Sequence, residues 1–332
     1  MVGQSDLAFR LLCRRHGAQL VYTQMLDAAR LVEEPEYRQQ MFLSEVHVQD
    51  RPLVVQLSGN EPRLVAAAAL LVENSGQADA IDFNLGCPQQ AAANGMYGAY
   101  LLDRQHWPRV ASIVAATRAA VSIPVCCKIR LLSTLEESIH FARLLQRAGC
   151  QLLVVHGRFR CNPKQRHRRK GAANLEWVAA IKSAMEIPVI SNGNVRSVTD
   201  LARNLRQTGA DGLMIAEAML ENPALLRLAS SVPDYSSGRR VHGGGGSASV
   251  GRLAAEYLAL AATHPPALGF QVVRQHITHM LGKRGHGAAT SFKYALSSQD
   301  AKLLRERIVA ASTIEELRVL VEEICSELAR SR

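Results

Sequence analysis

The sequence lacks the features that mark membrane, secreted and metal-binding proteins. It has no apolar run of about 18 residues, so no transmembrane helix is predicted. No charged segment precedes an apolar stretch at the start of the chain, so no secretory signal is predicted. The seven cysteines form no CxxC pair, which disfavours a disulfide framework and a cysteine-rich zinc site. HExxH and comparable spacings are absent, and we expect no metal.

The composition is that of a basic globular protein. Apolar residues make up 48% of the 332 residues, enough for a sizeable core, which excludes a disordered chain. The length suits one large domain with or without a smaller one. The net charge of +10 favours a polyanionic partner, and much of it lies between Arg158 and Lys170, where no acidic residue occurs. This basic segment is either a loop that contacts phosphates or a solvated loop without a ligand.

Short apolar runs alternate with helical segments through the first two-thirds of the chain. The runs are apolar at successive positions, as expected of parallel strands covered on both faces. The repeat predicts a (β/α)₈ TIM barrel or a doubly wound sheet. A barrel closes with eight strands, so we expect a first strand upstream of Met1 or a gap, and a truncated start is our hypothesis. The predicted strands are 20–22, 53–57, 80–84, 124–129, 152–155, 188–191 and 212–216.

Polar side chains at the ends of these strands distinguish the two folds. They follow most of the predicted strands, and TIM-barrel enzymes place their chemistry at those carboxyl ends. A doubly wound sheet would bind its ligand at one switch point, usually with GxGxxG after the first strand, and that fingerprint is absent. We therefore predict a TIM barrel with candidate site residues Gln56, Asn84, Cys87, Lys128, His156, Asn192 and Glu217.

Cys87 follows a strand in a tight turn fixed by Gly86 and Pro88. A free cysteine often packs as a small apolar side chain. It acts as a nucleophile if a neighbouring base favours the thiolate. It acts as a general acid if the thiol keeps its proton, as an ordinary thiol does at neutral pH. The residues alone leave these three roles open.

Two further features favour an anionic ligand at the same end of the barrel. Asn192-Gly193-Asn194 follows the seventh strand in barrel numbering and Ala216-Glu217 ends the eighth, where many TIM barrels bind phosphate. Lys128 and His156 end adjacent strands, and together they could hold oxygens or a heterocycle of such a ligand. The alternatives are an ordinary Asn-Gly turn and a histidine buried in the core.

The amino-acid composition changes after the barrel region. Residues 233–250 are rich in Gly and Ser and predict a flexible linker between a barrel domain, 1–232, and a C-terminal region, 251–332. In that region apolar residues recur from Ile314 to Leu328 at steps of three and four. We interpret the C-terminal region as a small helical bundle and the apolar stripe as its core.

A series of short motifs runs along nearly the whole barrel region. They are Met1-Val2, Tyr22–Met25, Val55–Leu57, Ile81–Gln89, Gly95–Leu102, Cys127–Arg130, Ala148–Arg158, Ile187–Val195 and Gly209–Pro223. In this order and spacing they resemble the dihydrouridine synthase family, above all its eukaryotic branch that acts at positions 16 and 17 of the tRNA D-loop. The chain departs from the family at Gln24, where Pro is usual, and at Phe159, where Thr is usual. The family's Ala-Pro before the first Met-Val is absent.

The resemblance implies an FMN-binding TIM barrel, a C-terminal helical domain that binds tRNA, and NADPH as the reductant. By the family's motifs, a hydride from flavin N5 reduces uracil C6, Cys87 donates the proton to C5, and Asn84 contacts the uracil. The implied cofactor residues are Met1, Gln56, Lys128, His156, Asn192, Gly193, Asn194, Ala216 and Glu217. The residues expected to meet tRNA are Arg158, Arg160, Arg166, Arg168, Arg169, Lys170, Arg274 and Lys283, with His276 and Arg284 extending that surface.

Two alternatives stay open on the sequence. One is a small-molecule flavin reductase of the same barrel class, which would have no use for the basic segment. The other is an RNA-binding protein on a catalytically inactive barrel, as the missing strand would allow. We expect a monomer without membrane association, in the cytoplasm or the nucleus.

Overall fold

The computed structural model describes residues 3–160, 171–230, 247–282 and 298–330. Its centre is one parallel sheet whose strands follow the order of the chain. Helices connect most neighbouring strands, as parallel pairing requires. The strands are β1 (Val21–Tyr22), β2 (Leu26–Asp27), β3 (Leu53–Ser58), β4 (Ala80–Leu85), β5 (Val125–Leu131), β6 (Leu152–Phe159), β7 (Val189–Asn192) and β8 (Gly212–Met214).

β1 and β2 are two parts of one strand position. Both pair with β3, β1 at Leu53 and Val54 and β2 at Leu57 and Ser58. Thr23 connects them, because its hydroxyl accepts a hydrogen bond from the backbone N–H of Gln56 at 3.1 Å. The sheet therefore has the predicted strand positions, and the TIM-barrel prediction is confirmed. Among the described residues, β1 and β8 do not pair with each other, so the barrel is open between them.

Helices cover the outer side of the sheet. Local sequence fixes several of their ends: Ser197 and Asp200 form a full capping box, and Thr134 accepts from the N–H of Glu137 at 3.1 Å. The helices are α1 (Leu7–Arg15), α2 (Ala28–Glu33), α3 (Pro35–Met41), α4 (Pro62–Asn74), α5 (Gln90–Asn94), α6 (Trp107–Ala120), α7 (Leu135–Arg147), α8 (Leu175–Ser183), α9 (Val198–Thr208), α10 (Glu217–Glu221) and α11 (Leu225–Ser230), with 3₁₀ turns at Leu43–Glu45, Gly98–Leu102 and Arg104–His106.

Side chains alternate between the two faces of the sheet, so core residues and site residues lie on opposite faces. Successive side chains of a strand point to opposite faces of the sheet. Odd-numbered residues such as Leu53, Val55 and Ile81 are buried in the main core with the covering helices. Val54, Ala80 and Cys126 form a small separate cluster, which places them on the inner face near the amino ends of their strands. The polar residues follow on that inner face toward the carboxyl ends.

The C-terminal helices are α12 (Ser247–Thr263), α13 (Phe270–Ile277), α14 (Ser298–Ala310) and α15 (Ile314–Arg330), with a π-helical turn at Thr278–Gly282. They share a second core with α1 and with α9 to α11. Leu317, Val321 and Ile324 are buried there, which confirms the predicted stripe. α12 begins at Ser247, inside the range predicted as linker, and residues 231–246 lie outside the described part. No helix in the described ranges is long and apolar enough to cross a bilayer.

A buried polar network ties α1 to both cores. Asp6 caps α1 by accepting from the N–H of Phe9 at 3.1 Å, and its other oxygen pairs with His276 Nε2 at 2.7 Å. Arg10 on the same helix pairs with Asp50 at 2.7 Å, and Arg10 and Asp50 are both almost fully buried. These charges are tolerated inside because each has a partner.

The prediction that His276 extends a tRNA-binding surface is wrong. Its side chain is fully buried, stacks on Phe9 with ring centroids 4.4 Å apart, and contacts Tyr257. The physical reason is its place on α13, where Val272, Val273, His276 and Ile277 form one buried helical face.

Candidate active site

The predicted site residues of five strands come together on the inner face of the sheet. Gln56, Asn84, Lys128, His156 and Asn192 lie toward the carboxyl ends of β3 to β7. The register places Asn84 beside Lys128 and His156 beside Asn192. The structure thus supports the expectation that polar residues from many strands form one site.

The turn that carries Cys87 is attached to β4 through a side chain. Asn84 Oδ1 accepts from the backbone N–H groups of Gly86 at 3.0 Å and Cys87 at 2.9 Å. The Asn84 amide nitrogen donates to Gln56 Oε1 at 2.8 Å, and the Gln56 amide nitrogen donates to Asp82 Oδ2 at 2.8 Å. Gln56, Asp82 and Asn84 are all buried, so these bonds are shielded from water.

A second segment holds the same turn from the other side. The N–H of Ala99 donates to the carbonyl of Cys87 at 3.0 Å. Gly98, with φ +62°, passes so close that a Cβ there would lie 2.8 Å from that carbonyl oxygen. Only glycine fits this contact. Cys87 is 8% exposed and therefore sits in a fixed, nearly closed position.

Asp82 and Lys128 place opposite charges in the buried part of the site. Burial raises the pKa of Asp82 to about 7, although the Gln56 hydrogen bond and the Lys128 charge oppose that rise. Burial and the charge of Arg130 lower the pKa of Lys128 to about 8, while the Asp82 carboxylate opposes the decrease. Asp82 Oδ1 has no hydrogen-bond partner, and within the described residues the Lys128 ammonium has none either. The half-buried Lys128 ammonium is therefore available to a ligand, whereas Asp82 Oδ1 is buried without a partner.

His156 is held as a neutral ring. Burial, followed by the charges of Lys128, Arg130 and Arg158, keeps the pKa of His156 well below its ordinary value. The Arg158 guanidinium lies 2.9 Å from His156 Nε2. A guanidinium can only donate, so Nε2 accepts and the ring proton sits on Nδ1.

The predicted Asn-Gly turn after β7 adopts a conformation that requires glycine. Gly193 has φ +127°, and a Cβ there would lie 2.7 Å from the Cβ of Ala173. Asn194 also has a positive φ, +57°, and its side chain bonds both backbone groups of Ala173, at 2.7 and 2.9 Å. Asn192 donates to the carbonyl of Met214 at 2.8 Å. The Asn194 side chain thus holds this turn together.

The structure places the other predicted residues in different surroundings. Glu217 is exposed at the start of α10, next to the half-buried Ala216. Arg160 pairs with Asp103 at 3.0 Å. Arg274 donates to the carbonyl of Val309 at 2.8 Å. The predicted residues Met1, Arg166, Arg168, Arg169, Lys170, Lys283 and Arg284 lie outside the described part.

Sequence reasoning missed two residues of the site, Asp82 and Arg130. Arg130 donates from Nε to the carbonyl of Gly86 at 2.7 Å, beside Cys87. The signal was present in the spacing, because Asp82 is two residues before Asn84 and Arg130 two after Lys128. In a strand such pairs share a face. No three His, Cys, Asp or Glu side chains in the described segments are grouped so as to hold a metal ion.

A family model described as Dihydrouridine synthase (Dus) matches residues 1–311. The chain belongs to this family. It is 41% identical over 277 residues to a Rattus norvegicus tRNA-dihydrouridine(16/17) synthase [NAD(P)(+)]-like protein, a match that covers 83% of this chain and 57% of the relative. It is 38% identical over 231 residues to the tRNA-dihydrouridine(16/17) synthase [NAD(P)(+)] of Saccharomyces cerevisiae, covering 69% and 53%. The chain spans about half the length of these relatives.

The fold of this Dus-family chain also resembles a solved structure of distant sequence. A 2-naphthoyl-CoA reductase in complex with 2-naphthoyl-CoA matches with a TM-score of 0.55 at 12% sequence identity, covering 69% of this chain and 47% of that one. At this identity the likeness supports the barrel-type fold.

Proposed function

We propose that this chain is an FMN-dependent tRNA-dihydrouridine synthase that reduces the C5=C6 bond of D-loop uridines at positions 16 and 17. Family membership supports the reaction, and the names of the relatives support the positions and a nicotinamide reductant, which we take to be NADPH. The observation that carries the proposal is the Cys87 turn, clamped by Asn84 and Ala99 at the carboxyl end of β4, beside the polar inner face.

The donors and charges of the inner face suit FMN. The flavin ring and its phosphate present mainly hydrogen-bond acceptors and negative charge. The Lys128 ammonium is unpartnered among the described residues, and Gln56 keeps one amide N–H beyond its bond to Asp82. Gly193 packs closely against Ala173, where a side chain would collide, and lies next to His156. We assign Gln56, Lys128, His156, Asn192 and Gly193 to hold the cofactor, which when bound supplies hydride transfer.

The chain's own residues would then handle the proton and the base. Cys87 would hold a proton on Sγ and give it to C5 of the uracil, as a general acid. Asn84 has both oxygen lone pairs engaged by the turn, so it offers the base its remaining N–H. The Lys128 ammonium would stabilise negative charge that develops in the site. The uridine must leave its stack to reach this position.

The tRNA is a polyanion of the kind that the net charge of +10 favours. Arg158 and Arg160 lie at the carboxyl end of β6, on the side of the barrel that carries the site. We expect their positive charges to raise phosphate affinity there, together with the basic segment to Lys170. A cytoplasmic or nuclear location follows from the same proposal.

The test compares two cysteine variants, Cys87→Ala and Cys325→Ala. Cys325 is a matched control because it lies on α15, in the C-terminal core. With FMN, NADPH and tRNA lacking the modification, dihydrouridine is measured by mass spectrometry. We expect Cys87→Ala to keep flavin and tRNA binding and to lose turnover by about 10²-fold or more, and Cys325→Ala to match the wild type.

Three results would contradict the proposal. Wild-type turnover in Cys87→Ala would remove the acid role of the thiol. A flavin-bound protein that does not bind tRNA would support a small-molecule reductase. A protein without flavin that binds tRNA in a salt-sensitive manner would support an RNA-binding role on an inactive barrel.

A further inference from the structure

The Asp82 carboxyl has no part in the proposed function, yet it is hydrogen-bonded to other residues of the site. It is fully buried on β4, two residues before Asn84 and on the same face of the strand. One oxygen accepts from the Gln56 amide at 2.8 Å. The Gln56 carbonyl accepts from the Asn84 amide, and the Asn84 carbonyl accepts from the N–H of Cys87. A continuous chain of hydrogen bonds thus runs from Asp82 to the Cys87 backbone.

Both ends of this chain impose the same direction. When the Asp82 carboxyl is ionised it can only accept, so Gln56 then presents its NH₂ group to Asp82 and its carbonyl to Asn84. A backbone N–H can only donate, so Asn84 must present its carbonyl to Cys87 and its NH₂ group to Gln56. The two amides therefore have one orientation that satisfies every member. Gln56 and Asn84 are 9% and 7% exposed, so water cannot easily replace a lost partner.

We propose that Asp82 is a positioning residue whose carboxylate fixes the orientation of the Gln56 and Asn84 amides and, through them, the turn that carries Cys87. The inference rests on the proposed function only where it concerns turnover. Asn84 accepts two bonds from the turn, so the chain leaves it a single N–H for a ligand. Asp82 thereby commits Asn84 to recognise a hydrogen-bond acceptor, such as a uracil carbonyl.

Replacement of Asp82 separates this role from simple packing. Asp82→Asn keeps an oxygen that can accept from Gln56, so the hydrogen-bond chain can form in the same direction. Asp82→Leu removes the acceptor and leaves the buried Gln56 amide without a partner. Val54→Ala is the matched control, because Val54 is 1% exposed on the same inner face of β3 and its shortening leaves the chain of hydrogen bonds intact.

The first measurement needs neither tRNA nor turnover. In protein labelled with ¹⁵N in Cys, Asn and Gln, we expect Asp82→Leu to shift the Cys87 amide and the Asn84 and Gln56 side-chain resonances. We expect the rate of Cys87 alkylation by iodoacetamide to change about tenfold, since the turn loses its anchor to β4. Asp82→Asn should restore the Cys87 resonance and bring the alkylation rate within about twofold of wild type, and Val54→Ala should leave both unchanged.

The second measurement is turnover with tRNA. We expect kcat to fall about 10- to 100-fold in Asp82→Leu, with KM for tRNA changed less than about threefold, because the fault lies in the placement of reacting groups. Asp82→Asn should recover most of kcat. If Asp82→Leu does not fold, the double variant Gln56→Leu/Asp82→Leu replaces both partners by apolar groups, and the Cys87 resonance is read in that protein.

The results of these measurements can refute the positioning role of Asp82 and the proposed function separately. An unchanged Cys87 amide and alkylation rate in Asp82→Leu, or in the double variant, would overturn the positioning role whatever the enzyme's activity. A failure of Asp82→Asn to restore the Cys87 signals would also overturn it, because the carboxylate's hydrogen bond would not be the cause. A wild-type protein that forms no dihydrouridine but shows these spectral effects would refute the proposed function alone.

Discussion

Because the His156 ring is neutral in the folded protein, we predict that the free energy of unfolding decreases at acidic pH. His156→Gln should abolish this part of the decrease. Burial and the charges of Lys128, Arg130 and Arg158 keep the pKa of His156 well below its ordinary value in the folded protein. In the unfolded chain the imidazole takes up a proton near pH 6.5, about its unperturbed pKa. Below that pH the unfolded state binds more protons than the folded state. The free energy of unfolding therefore falls as the pH falls.

The size of this effect follows from proton linkage. One proton bound only in the unfolded state changes the free energy of unfolding by about 1.4 kcal/mol per pH unit. Integrated from neutral pH to pH 5, where the unfolded imidazole is almost fully charged, the loss is about 2 kcal/mol. A glutamine at 156 does not titrate, and its carbonyl can still accept from Arg158. The variant's stability should lack this part of the pH dependence.

Asp82 contributes to the pH dependence of the free energy of unfolding with a sign opposite to that of His156. Burial raises the pKa of its carboxyl from 3.8 to about 7, so the folded state binds more protons between those values. Its contribution to stability is therefore present at low pH and is lost as the pH rises toward 7. In the wild type this slope offsets that of His156 between about pH 5 and 6.5. Only the difference between wild type and His156→Gln isolates the imidazole.

The assay is urea unfolding followed by circular dichroism from pH 5 to pH 7.5. The expected result is that the stability of the wild type relative to His156→Gln decreases by about 2 kcal/mol as the pH falls from 7.5 to 5. His140→Gln is the control, because His140 is exposed on α7 and its replacement should leave the pH dependence like that of the wild type. A stability difference that stays constant with pH would refute the reasoning, as would a His156 ring signal that titrates near pH 6.5 in the folded protein.

Two further predictions concern glycines in close contacts. Gly193→Ala should destabilise the protein by about 1–3 kcal/mol and weaken flavin binding, because φ is +127° and the new methyl group meets Ala173. Adding Ala173→Gly to this variant should recover only the part of the loss that is due to the clash. Unfolding and flavin titration measure the two effects. Gly251→Ala places a Cβ 2.0 Å from Cys325 Sγ and should lower the melting temperature. The double variant Gly251→Ala/Cys325→Ala should have a higher melting temperature than Cys325→Ala alone, since alanine is favoured over glycine in a helix by about 1 kcal/mol. If the double variant shows no gain in melting temperature, the clash is not the cause.

The strands could be predicted because each carries its own signal. β3 to β8 are short apolar runs bounded by turns, and each lies where the alternation of strand and helix placed it. β2 was missed because its two residues, Leu26 and Asp27, show no period, and only their pairing with β3 makes them a strand. The position of Cys87 was predictable from Gly86 and Pro88, whereas its attachment to Asn84 depends on the three-dimensional turn.

Contacts between distant segments could not be predicted from local patterns. His276 lies 270 residues from Asp6, its hydrogen-bond partner, and no periodicity connects them. The ion pair of Arg160 with Asp103 was likewise hidden, because it joins the end of β6 to the turns after Cys87. A cationic side chain near a site looks the same in sequence whether it binds a ligand or a neighbouring carboxylate.

The open side of the barrel shows why α1 belongs to both parts of the chain. β1 and β8 are the edges of the described sheet, α1 precedes β1, and α10 and α11 follow β8. These helices share one buried core with α12, so side-chain packing spans the side where β1 and β8, in the part of the chain that the structure describes, do not pair. Gly17, at the end of α1, lies so close to α11 that a Cβ there would be 3.3 Å from the backbone nitrogen of Arg227. The C-terminal helices therefore help to hold together the two edges between which the inner face and its polar residues are formed.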